Sequence, residues 1–268
     1  MTVILASLDE WRFSMIDIRA HTKADYAVLP DIDSPAMEAL DDSDWECLDE
    51  IGGLLIAKGV NDRFGITLLH SHFPISDNEI MVEEPRPGER AFTLRPVEDH
   101  AAGADDRVAI NLEFGAGRND RALPMIGLEF IRSEALYGIA PVSDSDARVL
   151  RDVREVLERR KRLRRFGVGL LHDAIGLKES EVLLETCDLS TRALHCIAAG
   201  REDKRVSSGV ETTWSWTAPA EAEAMDPRAI RTCRRQCTAV RICFKAEDGS
   251  HQSQEGGHDP SGHDIGPD

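Results

Sequence analysis

A repeat constrains this chain more than any other feature. Residues 63–83, RFGITLLHSHFPISDNEIMVE, return 102 positions later as residues 165–185, RFGVGLLHDAIGLKESEVLLE, with no gap. Between positions 42–91 and 144–193, fifteen residues are identical. Ordinary residue frequencies would give about three by chance.

The same offset runs through the flanking segments. Asp42-Ser43-Asp44 is matched by Asp144-Ser145-Asp146. Cys47, Leu48, Ile51, Leu54 and Leu55 then follow a helical period, as do Val149, Leu150, Val153, Val156 and Leu157. An Asp or Ser just before such a stretch caps the free N–H groups of a helix start. Further on, VAINLEF (108–114) meets VETTWSW (210–216), both alternating as half-buried strands do. ALPMIGLEF (122–130) is matched more weakly to QCTAVRICF (236–244).

The pattern predicts a helix over 44–58 followed by strands near 64–71, 79–84, 90–97, 107–114 and 123–130. It predicts a second helix over 145–161 with strands near 166–173, 181–186, 192–198, 209–216 and 238–244. Short polar connections favour hairpins and antiparallel pairing. The expected fold is α+β: two tandem homologous units, each one helix plus about five mostly antiparallel strands, related by a pseudo-twofold. The units span 42–131 and 142–245. Residues 1–41 read as an acidic N-terminal extension. Residues 246–268 read as a disordered acidic tail rich in His and Gly.

Charge narrows the partners. The net charge is −17. Residues 1–62 carry 14 acidic against 4 basic side chains, residues 246–268 carry 6 acids and no Lys or Arg, and the middle is near neutral. Such a chain is repelled by nucleic acid and by anionic membranes, so neither is an expected partner. A small molecule or a protein is. No apolar run is long enough to span a bilayer, and the N-terminus lacks the basic flank of a signal peptide. With six cysteines and no Cys-x-x-Cys, the reading is a cytoplasmic protein with reduced thiols. Residues 148–165 hold nine Lys/Arg against three acids, and the expected partner of that basic helix is the acidic N-terminal region.

The chemistry points to His70 and His72. On a strand they share one face with Phe64, Ile66 and Leu68, and two imidazoles on one face can chelate one metal ion. Glu79 and Glu83 follow on the next strand. His70 has a counterpart at His172, whereas Ala174 stands where His72 would recur, so His72 is the unit-specific residue. The expected metal ligands are therefore His70 and His72 with His172 or Glu83, holding zinc or iron. His-x-His followed by Glu79 and Gly88 resembles the metal motif of the cupin barrels over one short segment. The His72-to-Glu79 gap exceeds that motif and the preceding helix is foreign to it, so the family is not assigned. Cys233, Cys237 and Cys243 with His251, His258 and His263 form a second zinc candidate, against ordinary buried thiols beside a solvated tail.

Two functions follow from these residues. One is a metal-binding protein or metal-dependent enzyme using the His-x-His pair. The other is a non-catalytic protein-binding or assembly protein in which the histidines are structural, hydrogen-bonded to backbone at a strand end. Nucleotide-binding, serine-hydrolase and His-Glu-x-x-His signatures are missing from the sequence.

Overall fold

Alternating apolar residues become strands, and the helical periods become helices. A computed structural model describes residues 14–32, 34, 37, 40–86, 88–99, 106–116, 122–132, 140–172, 175–217, 231–238, 244–245 and 251–252. The strands are β1 (Ile16–Ala20), β2 (Phe64–Leu68), β3 (Glu79–Arg86), β4 (Ala91–Glu98), β5 (Arg107–Phe114) and β6 (Leu123–Arg132). They continue as β7 (Phe166–Leu170), β8 (Glu181–Asp188), β9 (Ala193–Gly200), β10 (Val210–Trp216) and β11 (Arg231–Thr238), with a two-residue pair, β12 (Phe244–Lys245) and β13 (His251–Gln252). The α-helices are α1 (Lys23–Ala27), α2 (Asp42–Ala57), α3 (Ala147–Arg159) and α4 (Lys204–Ser207).

Ten strands close a barrel in the order β6-β3-β4-β9-β8-β11-β10-β2-β7-β5, with β5 pairing back to β6. β1 adds to β6 in parallel. β3 with β6 and β8 with β11 are also parallel, and the remaining barrel pairs are antiparallel. The expected α+β class is therefore corrected. The chain does not form two helix-and-sheet units packed about a pseudo-twofold; it forms one mostly-β barrel with short helices. The physical reason lies in the pairings. β2 pairs with β7 and β10, β5 with β7, and β4 with β9, so strands from both halves of the chain share one wall. Closure pairs the edges that two separate sheets would have left exposed. The last barrel strand is also displaced from its expected place at 238–244 to 231–238. The expected disorder of the tail falls outside the described residues, apart from β13.

Each helix is anchored by sequence chemistry. Asp41 caps α2, accepting from the Asp44 N–H at 2.7 Å, while Asp44 accepts from the Asp41 N–H at 3.1 Å. One face of α2 buries Cys47, Leu48, Ile51 and Leu55. One face of α3 buries Val149, Leu150, Val153 and Leu157. Both faces join Phe64, Ile66, Phe166, Val168, Trp214 and Trp216 in the largest apolar cluster. The opposite faces of β3, β4, β8 and β9 point into the barrel and bring Met81, Phe92, Leu94, Leu183, Leu194 and Cys196 together. No helix among the described residues is long and apolar enough to cross a membrane.

Ion pairs tie the halves together across the same 102-residue offset. Arg63 meets Asp146 at 2.8 Å and Arg165 meets Asp44 at 3.0 Å. Arg90 pairs with Glu181, and Arg192 with Glu79. The basic end of α3 does find acidic partners earlier in the chain: Arg160 meets Glu46 at 2.9 Å and Arg162 meets Asp44 at 2.6 Å.

Two expectations test this packing. A Cβ added at Gly52, inside α2, would lie 2.2 Å from Nε1 of the buried Trp216. Gly-to-Ala normally favours a helix, but here overpacking should win, so Gly52→Ala should lower stability in urea unfolding by about 1–3 kcal/mol. The Arg192 guanidinium, outweighing burial, holds the Glu79 carboxyl down at about 2. A depressed carboxylate stabilises fully above its unfolded value and loses that stabilisation as pH falls through its folded one. Thermal midpoints should therefore fall as pH drops from about 5 towards 2, and less steeply in Glu79→Gln.

Candidate metal centre

β2 ends at Leu68, so His70 and His72 lie just beyond the strand and not on it. Phe64, Ile66 and Leu68 face the helices, in the large cluster, while Leu69 and Phe73 belong to the interior cluster. The chain thus carries both histidines into the barrel's polar centre. Their rings stand edge to face, with centroids 4.6 Å apart.

Two strands distant in sequence complete the group. β8 contributes Glu185 and β11 contributes Cys237, residues directly paired in the parallel β8–β11 ladder. One donor atom each from His70, His72, Glu185 and Cys237 lies within 4.8 Å of every other. A tetrahedral zinc site with bonds of about 2.0–2.3 Å sets its donors roughly 3.3–3.8 Å apart. The four donors need to contract by only about 1 Å to reach that geometry. The cluster could hold a metal ion.

The histidines' protonation suits this use, while Glu185 would have to release its proton. His70 Nδ1 lies 2.7 Å from the Leu68 carbonyl, which can only accept, so Nδ1 carries the proton. That leaves Nε2 with a bare lone pair, and it is buried with no hydrogen-bond partner among the described residues. A backbone carbonyl fixing the tautomer of a ligating histidine is a common supporting contact. Burial pushes both imidazoles below their ordinary range, His72 well below, so they are neutral. The Cys237 Sγ stands 3.7 Å from His72 Nδ1. Burial pushes the Glu185 carboxyl up to about 8, against the opposing pull of Arg235. The His72 backbone carbonyl is held in turn by the Cys187 thiol at 3.7 Å.

His172 and Glu83, the other two expected ligands, pair with each other. His172 Nε2 lies 3.4 Å from Glu83 Oε2. They stand outside the four-residue cluster, linked to it through Arg235. That buried guanidinium reaches Glu83 at 3.7 Å, Glu129 at 3.1 Å and Glu185 at 3.2 Å, and lies over the Phe92 ring at 5.5 Å. Two buried carboxylates and the half-buried Glu129 thus surround one arginine.

Of the second zinc candidate, Cys237 belongs to the cluster. Cys233 does not; its thiol donates to the Arg235 carbonyl at 3.3 Å. Cys243, His258 and His263 lie outside the described residues, as does the side chain of His251. Glu185 was missed as a ligand, although it stands 102 residues after Glu83. Comparison of the chain with family models, curated proteins and solved structures finds no match.

Removing one partner of a buried charge group leaves the others uncompensated. Arg235→Met should therefore cost about 3–5 kcal/mol in urea unfolding, far more than an exposed arginine such as Arg86 would.

Proposed function

We propose that this chain is a metal-binding barrel protein that holds one zinc ion on His70, His72, Glu185 and Cys237. The convergence of the four donors carries this reading. Two imidazoles, a thiolate and a carboxylate are the donor types zinc takes. Iron is the weaker choice, because the non-haem sites built from two histidines and a carboxylate keep open positions, and Cys237 fills one here. A bound dication would favour the ionised, ligating form of Glu185, whose carboxyl burial pushes up to about 8.

Four protein donors fill a tetrahedral shell and leave no position for water. That favours a site that organises the barrel over one that activates a nucleophile. The ion would join the segment after β2 to β8 and β11, three elements far apart in sequence. The described cysteines are free thiols, which suits a reducing compartment, and we place the protein in the cytoplasm. The competing reading, structural histidines in an assembly protein, is favoured by the His70–Leu68 hydrogen bond and by the burial of His72.

Elemental analysis of the untagged protein decides between them. About one equivalent of zinc is expected, with loss in both His72→Ala and Cys237→Ser and a lower thermal midpoint after chelation. No bound metal after reloading with zinc or iron would refute the site and leave the histidines as fold residues.

A further inference from the structure

Arg235 also borders a cavity of about 70 Å³ within the barrel. Phe92, Ile110, Leu177 and Leu183 give it apolar walls. A cavity of about 150 Å³ takes benzene, so one of about 70 Å³ encloses about three non-hydrogen atoms, and the rest of a short ligand lies in its open mouth. The polar groups along it are mostly spoken for. Glu129 is bound to Arg235 at 3.1 Å, and His172 faces Glu83 through Nε2 at 3.4 Å, which leaves its buried Nδ1 without a hydrogen-bond partner among the described residues.

Arg234 is different. It lines the same cavity, is half-buried, and makes no ion pair among the described residues. Its position follows from an irregularity in the wall. Thr213 pairs with Arg235 and Trp214 pairs with Cys233, so Arg234 is the extra residue of a bulge between β10 and β11. Bulges re-aim side chains beside binding sites. An apolar cavity with one unpaired guanidinium matches a ligand with an apolar tail and an anionic head.

We propose that this cavity binds a short-chain carboxylate, its tail against Phe92 and Leu183 and its carboxylate on the Arg234 guanidinium. The net charge of −17 works against anions at long range, so recognition rests on this one local contact. An alkyl amine, drawn by Glu129 on the cavity lining, is the rival class. The proposal does not depend on the metal.

The test is calorimetric titration of the full chain with sodium valerate, pentanol and pentylamine, supported by saturation-transfer NMR. Valerate should bind at least tenfold more tightly than pentanol. Arg234→Gln should erase that advantage while leaving pentanol binding intact. Ile175→Trp, which crowds the cavity lining, should weaken both, and circular dichroism would verify that each variant is folded. His72→Ala should bind valerate like the parent, which separates this site from the metal centre. Tighter binding of pentylamine, unchanged valerate affinity in Arg234→Gln, or no binding of any of the three would overturn the proposal.

Discussion

The pairing of β2 with β7 is the constraint on which the rest of the molecule depends. Phe64 meets Leu170 and Leu68 meets Phe166, so strands about a hundred residues apart become neighbours. β10 then joins the other edge of β2, and β5 the other edge of β7. With β4 on β9 at the far side, the wall closes. Without these pairings each half of the chain would expose strand edges, a standing risk of aggregation. The paired strands also deliver the large apolar side chains on which α2 and α3 pack.

Closure has a cost that sets the chemistry. The interior holds Glu83, Glu129, Glu185, Arg235 and three histidines together with its apolar residues. Buried charge is tolerated only when paired, and Arg235 is held by Glu83, Glu129 and Glu185. Arg235 links the two halves of this interior, touching Glu185 of the metal cluster and Glu83 of the His172 pair. A cation at His70, His72, Glu185 and Cys237 would favour the ionised form of Glu185. A metal there would tie the segment after β2 to the β8–β11 ladder, whose two strands are already paired with each other.

Local features were legible in the sequence, and non-local ones were not. The alternation in VAINLEF and VETTWSW marks β5 and β10, because a strand's two faces are written in adjacent residues. The partner of each strand leaves no such mark, so hairpins within each half were assumed and the closed barrel was missed. β11 was misplaced for a different reason. Its sequence, RTCRRQCT, looks like surface, yet Arg231 pairs with Asp49 and Arg235 is buried among carboxylates. His70 and His72 stood out by spacing. Which glutamate joins them depends on wall register, and that brings up Glu185 from β8 and leaves Glu83 to His172.

X-ray absorption at the zinc edge of the loaded protein tests the central claim most directly. One sulfur and three nitrogen or oxygen donors are expected, with the scattering signature of two imidazoles, and loss of the sulfur shell in Cys237→Ser. A shell without sulfur in the parent protein, or a spectrum that Cys237→Ser leaves unchanged, would contradict it.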